Sequence, residues 1–264
     1  SERRVSPEGC DAGIGGVGWL DDTRVIYAMA CGGEPSHVYV ASSLTTPGGP
    51  EELLRVDPHD EPTRDVFPAV RTPVFAYVVD RTVCEGGTCG VKPEVWVGET
   101  DGNHCRLSDG DPALTPTAGL RLGDHAPSFN GALDQVVFSR NVAGKPVGPD
   151  GHFDLMRVGF DLNALLRGQE TCTTGATANL SNTLLALETY PDASGAAVVG
   201  SERFPDAAAG RGPAGSILYT SEVGDPPVRS LWLLDPGGNR IELTPGDTAL
   251  GPARWVVDQY ETGR

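Results

Sequence analysis

The sequence predicts an all-β chain assembled from tandem four-stranded antiparallel meanders, and three observations lead there. Short apolar runs rich in β-branched and aromatic residues recur along all 264 residues, each bounded by turn-forming clusters. The 35 glycines and 22 prolines are spread along the chain, as punctuation between many short strands requires. Finally, VWVGETDGNHCRLS (residues 95–108) aligns without a gap to LWLLDPGGNRIELT (residues 231–244). That alignment sets Trp96 on Trp232, Gly102-Asn103 on Gly238-Asn239 and Leu107 on Leu243. Each copy reads as an alternating apolar strand, a Gly-Asn turn and a polar-alternating strand.

Taken in order, residues 1–16 are polar and Gly-rich and read as an extended arm. A first repeat spans residues 17–57: a strand at Trp19, a turn at Asp21-Asp22, then strands at 25–29, in HVYVASSL, and at 53–56. The second spans 66–110, with strands at 66–70 and 74–79, a cysteine-tipped loop, and the hairpin aligned above. A third spans 122–175 and contains the best-marked stretch in the chain, DHAPSFNGALDQVVFSRNVAGKPVGPDGHFDLMRVGFDL (residues 124–162). Its strands fall at Pro127-Ser128-Phe129, at 135–139 and at 153–158; residues 161–168 suit a helical turn, and the outer strand resumes at 170–174. The fourth repeat spans 184–247. It passes through the Tyr190–Gly195 turn into AAVVGSE, an Ala/Gly-rich insertion (FPDAAAGRGPAG), SILYTS and the second aligned hairpin. GPARWVVDQYETGR (251–264) reads as the opening strand of a fifth repeat, with Pro252 and Trp255 standing where Pro127 and Phe129 stood.

The stretch at 124–162 resembles the TolB-type propeller repeat, whose pattern is approximately "aP-W/F-SPDG-KRIVFSS…-IYVMDADG-NVRQLT", and degraded copies of it cover most of the chain. The resemblance implies a β-propeller of four-stranded antiparallel blades. Third-strand positions at Tyr39, Trp96, Met156 and Trp232 are 57, 60 and 76 residues apart. The last interval is too short to hide another complete blade of about 40 residues, so the count is four full blades and a partial fifth. A ring must close, or apolar faces and strand edges stay open. The arm, further chain beyond Arg264, or another protein are the three ways to close it.

The formal net charge of −16 argues against nucleic acid or an anionic membrane as partner, since both select clustered Lys and Arg. No apolar run approaches the roughly 18 residues that span a bilayer, and the first residues lack the apolar core of a signal peptide. Six cysteines, Cys10, Cys31, Cys84, Cys89, Cys105 and Cys172, match no zinc or haem spacing. Cys84 and Cys89 flank a Gly-Gly tip suited to a local disulfide, and Cys10 with Cys31 can tie down the terminus. Cys105 and Cys172 remain as a third pair, though fifteen pairings are open to six cysteines. Three disulfides imply a periplasmic or extracellular location.

Groups able to do chemistry are scattered. There is no G-x-S-x-G elbow, and GIGGVG does not join a strand to a helix. Five histidines, His37, His59, His104, His125 and His152, lie in different repeats; His125 is the strongest candidate for a group at a channel mouth. The acidic clusters holding Asp57 and Asp60, and Asp109 and Asp111, offer oxygens suited to a structural Ca²⁺, without EF-hand spacing. No other cofactor is expected. Trp96 and Trp232 read as packing residues, Asp21, Asp101, Asp134, Asp192 and Asp235 as turn residues, and Asn179-Leu180-Ser181 fits a glycosylation sequon. The leading expectation is a secreted or periplasmic, non-enzymatic module that binds a protein partner or scaffolds a larger assembly. The resemblance implies contact through the channel mouth or blade edges. The alternatives are a propeller hydrolase or lyase with a metal or His/Asp site at the central channel, and a propeller piece of a larger protein.

Overall fold

The computed structural model describes residues 6–42, 52–69, 72–111, 115, 121–142, 152–181, 189–192, 194–207, 215–224 and 228–244. By chain contacts it divides into two compact units, Ser1–Pro127 with Asp161–Thr174, and Ser128–Phe160 with Gly175–Arg264. The sequence reading treats residues 17–264 as one domain.

The first unit carries two antiparallel meanders. One is β1 (Cys10–Trp19), β2 (Val25–Cys31), β3 (His37–Ser42) and β4 (Glu52–Arg55); the other is β5 (Thr63–Pro68), β6 (Val74–Glu85), β7 (Thr88–Glu99) and β8 (His104–Arg106). Ile26, Val38 and Val40 of the first sheet share a core with Phe75, Tyr77 and Val79 of the second. Strand β1 starts at Cys10, inside the stretch read as an arm. Its glycines look like loop but serve close approach: a β-carbon at Gly16 would lie 2.9 Å from the Val66 carbonyl oxygen, and one at Gly18 would collide with the Pro68 ring. β5 likewise begins at Thr63, before the Val66 expected. The same unit holds α1 (Leu162–Leu166), capped by the Asp161 carboxylate on the Asn163 N–H at 2.9 Å.

The second unit carries a third meander, β9 (Asp124–Phe129), β10 (Gln135–Asn141), β11 (Phe153–Phe160) and β12 (Thr173–Asn179), with the unit boundary falling inside β9 and β12. A separate two-stranded hairpin follows, β13 (Thr189–Pro191) and β14 (Ala197–Val199). The fourth meander is β15 (Ser201–Ala207), β16 (Ile217–Val223), β17 (Val228–Leu234) and β18 (Arg240–Thr244). AAVVGSE, read as one stretch within the fourth repeat, is therefore split between β14 and the start of β15, and Phe204-Pro205-Asp206, read as insertion, lie within β15. The extra hairpin accounts for the long third interval between repeats. Residues 208–214 and the expected fifth repeat at 251–264 lie outside the described residues.

Four cross-strand pairs show how alike the sheets are. On second and third strands, Tyr27 faces Tyr39, Tyr77 faces Trp96, Phe138 faces Met156 and Tyr219 faces Trp232. The two sequence-aligned hairpins also turn alike: Glu99 N–H bonds Asn103 O at 2.8 Å and Asp235 N–H bonds Asn239 O at 2.9 Å. Gly102 and Gly238 supply the positive φ, +112° and +85°.

A second recurrence closes each sheet. The residue before each third-strand aromatic or Met donates its backbone N–H to a side-chain oxygen at the end of the fourth strand. The four bonds are Val38 to Asp57 Oδ2 (2.6 Å), Val95 to Ser108 Oγ (3.1 Å), Leu155 to Ser181 Oγ (2.8 Å) and Leu231 to Thr244 Oγ1 (3.2 Å). In the first three sheets the preceding residue, Val56, Leu107 or Leu180, bonds the carbonyl of that same third-strand residue at 2.8–2.9 Å. An apolar–polar dyad thus ends each repeat, the apolar member packing inward in the first three sheets and the polar member accepting the third-strand amide in all four. The sequon at Asn179-Leu180-Ser181 is one of these dyads, and Ser181 is buried.

The cysteines pair as Cys10–Cys31, Cys84–Cys89 and Cys105–Cys172. The last joins β8 to the segment after α1 across a separation of 67 residues. No helix among the described residues is long and apolar enough to cross a membrane. Replacing both Cys105 and Cys172 by Ala removes a cross-link worth about 4 kcal/mol in chain entropy; a fall of that order in urea-unfolding stability is expected, and a change near zero would show that the bond constrains nothing.

Candidate functional site

Two buried polar networks stand out, one in each unit. In the first, strand β6 aims Tyr77 at the segment linking the first two sheets. His59 Nε2 lies 2.9 Å from the Tyr77 hydroxyl, and that hydroxyl lies 2.8 Å from His104 Nδ1. Trp96 packs edge-on to His59, the ring centres 4.5 Å apart. Burial holds the His59 imidazole below its ordinary value and takes His104 down to about 4, with the neighbouring His59 adding to the second effect. Burial also raises the Tyr77 phenol. The result is a chain of neutral groups, His–Tyr–His, with the tyrosine able to donate to one ring and accept from the other.

Asp57 anchors the same region. Its carboxylate accepts the Val38 N–H, the His59 N–H at 3.2 Å and an Arg55 guanidinium N–H at 3.4 Å, and lies 3.3 Å from His37 Nδ1. A second cluster in this unit forms at the first-strand bulge of β5. Arg64 Nε donates to Asp80 at 3.1 Å, its Nη1 to Asp65 at 2.6 Å and its Nη2 to His125 Nδ1 at 2.9 Å. Asp65, at φ +52°, also accepts the N–H of Ala126, at φ +49°. Burial works against the Arg64 charge, but the flanking Asp65 and Asp80 carboxylates outweigh it and hold the guanidinium charged.

In the second unit Glu202 of β15 is wholly buried. It accepts hydrogen bonds from the Ser181 and Tyr190 hydroxyls, and Arg240 Nη2 lies 2.9 Å from its Oε1. Arg240 Nη1 also donates to the Tyr190 hydroxyl at 2.8 Å, which lies 3.2 Å from the Tyr219 hydroxyl. Burial pushes the Glu202 carboxyl up, and the Arg240 charge opposes it most. Beside this network, Asp154 bonds His152 Nε2 at 2.9 Å and Asn179 Nδ2 at 2.7 Å.

Of the residues singled out from sequence, Asp57 is a buried anchor, Asp60 and Asp109 are exposed, Asp111 is half-buried, and His125 sits against Arg64. His59 and His104 meet on one side chain, the Tyr77 hydroxyl. Among the described residues no three His, Cys, Asp or Glu side chains are gathered as metal ligands would be. Asp21, Asp192 and Asp235 accept backbone N–H groups of their own turns. Sequence reading missed Tyr77, Tyr190, Glu202 and Arg240 as network members. One signal was present: the gapless alignment sets His104 on Arg240, the two residues that complete the networks.

Fold and site together define an all-β repeat protein of tandem four-stranded antiparallel sheets held by internal polar networks. No protein-family model matches the sequence, and no curated protein matches it. Among solved structures, one from Agrobacterium tumefaciens described as "putative TolB" is similar over 89% of this chain, with a TM-score of 0.49 and 15% identity. The chain covers 65% of that protein's length.

Two outcomes test the networks. Because the folded-state pKa of His104 is depressed from 6.5 to about 4, the unfolded chain binds more protons between those values. Stability is then full above pH 6.5 and falls as pH drops toward 4. Urea midpoints measured across that window should decline in the wild type and decline less in His104→Asn; equal slopes would discount the histidine. Arg240→Met strands the Glu202 carboxylate and should cost about 3–5 kcal/mol, with Arg240→Met/Glu202→Leu regaining much of the loss.

Proposed function

We propose that this chain is a non-enzymatic propeller-type module of an oxidising compartment that binds a protein partner on the outer strand of its fourth sheet. One observation carries the reading. Val56, Leu107 and Leu180, the apolar members of the first three closing dyads, are buried at 4–9% exposure, whereas Leu243, the fourth, is 46% exposed. Ile241 beside it is 45% exposed. Among the described residues β18 pairs only with β17, so its other edge offers backbone N–H and C=O groups next to two apolar side chains. An extended segment of a partner that adds to that edge and covers Leu243 satisfies both features.

The buried histidines and carboxylates bond one another and the backbone inside the sheets, which supports a structural use for them. The three disulfides support residence in the periplasm or outside the cell. Affinity capture from the extracytoplasmic fraction of the native source, with wild type and Ile241→Lys/Leu243→Lys side by side, tests the reading. A protein retained by the first and lost by the second is expected, with stability changed by no more than about 0.5 kcal/mol per site. Equal capture by both, or a native mass showing only the unaccompanied chain, would overturn it.

A further inference from the structure

The three disulfides differ sharply in access. Cys105 and Cys172 are fully buried, Cys10 and Cys31 half-buried, and Cys84 and Cys89 exposed. The exposed pair also has the least to do for the fold. Cys84 and Cys89 are facing residues near the tip of the β6–β7 hairpin, which closes one pair further on, at Glu85 and Thr88. The two-residue turn between them, Gly86-Gly87, has φ of +56° and +85°, the left-handed pair that shapes a tight hairpin unaided. From Val74 to Glu85 the ladder runs without a register shift, and the hairpin is braced lower down, where Val91 bridges Arg121 and accepts the Leu122 N–H at 3.1 Å. A bond between residues five apart, across a turn that already forms, adds little loop-closure entropy compared with one spanning 67.

A disulfide that the topology does not require, held between two exposed residues, is suited to thiol exchange. The geometry points to Cys84–Cys89 as a reversible exchange site for an external thiolate, while the other two disulfides and the sheets persist. In the first step the thiolate attacks one of the two sulfurs; a mixed disulfide forms and the other cysteine leaves as thiolate. A second thiolate then attacks the external sulfur, giving an external disulfide and the Cys84/Cys89 dithiol, so two electrons pass from the external thiols to the protein. Re-oxidation by an external disulfide runs the same steps backward. The immediate consequence is local: the tip beyond Val91 keeps its ladder and loses its clamp.

Incubating the intact chain with reduced glutathione in one arm and with a Cys-x-x-Cys dithiol reductase of thioredoxin fold in the other, followed by iodoacetamide trapping and peptide mass mapping, tests this. Cys84 and Cys89 should be trapped at least about tenfold faster than the other four cysteines, with the far-ultraviolet sheet signal unchanged. Opening by glutathione marks a small-thiol site, and opening by the reductase alone marks a protein-thiol site. Failure of both reagents, trapping of all six at one rate, or trapping only as the sheet signal disappears would overturn the proposal. The variant Cys84→Ser/Cys89→Ser should fold to the same sheet signal and lose the fast phase; a variant that does not fold would show that the bond is structural and would also overturn it.

Discussion

The hydrogen bond that ends each repeat is the constraint on which the described sheets depend. A third strand needs its amides paired on both edges, and the short fourth strands leave one unmet beside the core. Asp57, Ser108, Ser181 and Thr244 each supply the missing acceptor from a side chain. An unpaired buried amide costs about 1–3 kcal/mol, so the dyad recurs even where the surrounding sequence has diverged. Because the acceptor sits one residue past an apolar side chain that is inward in the first three sheets, the dyad also marks where a repeat stops. This explains why Asn179-Leu180-Ser181 closes the third sheet although the fourth strand was expected to finish near residue 174.

The same frame carries different polar chemistry in its two units. Tyr77 faces Trp96 and bonds His104; Tyr219 faces Trp232, and Arg240 occupies the place of His104. With a neutral imidazole at that position, the neighbours are neutral too, and burial depresses both histidines. With a guanidinium there, a carboxylate is needed, and Glu202 provides it. Each network is self-consistent, and exchanging one member alone would leave either an unpaired charge or an unpaired donor. The perturbed ionisations therefore follow from packing between strands, and they arise where side chains are enclosed.

The sequence by itself determined the strand period, the Gly-Asn turns and the identity of Tyr39, Trp96, Met156 and Trp232 as third-strand positions, because alternation and turn chemistry are local properties of a few neighbouring residues. It misjudged β1, whose glycines look like loop until the approach of Val66 and Pro68 is known. It also misplaced the start of the fourth sheet, where an additional hairpin uses the same residue types as a sheet strand. Only the tertiary structure decided that His59, Tyr77 and His104 form one chain, that Glu202 meets Arg240, and that Leu243 lies open where Val56, Leu107 and Leu180 are covered. Those facts depend on which strands come together across tens of residues, and a side chain's burial is a property of what arrives beside it.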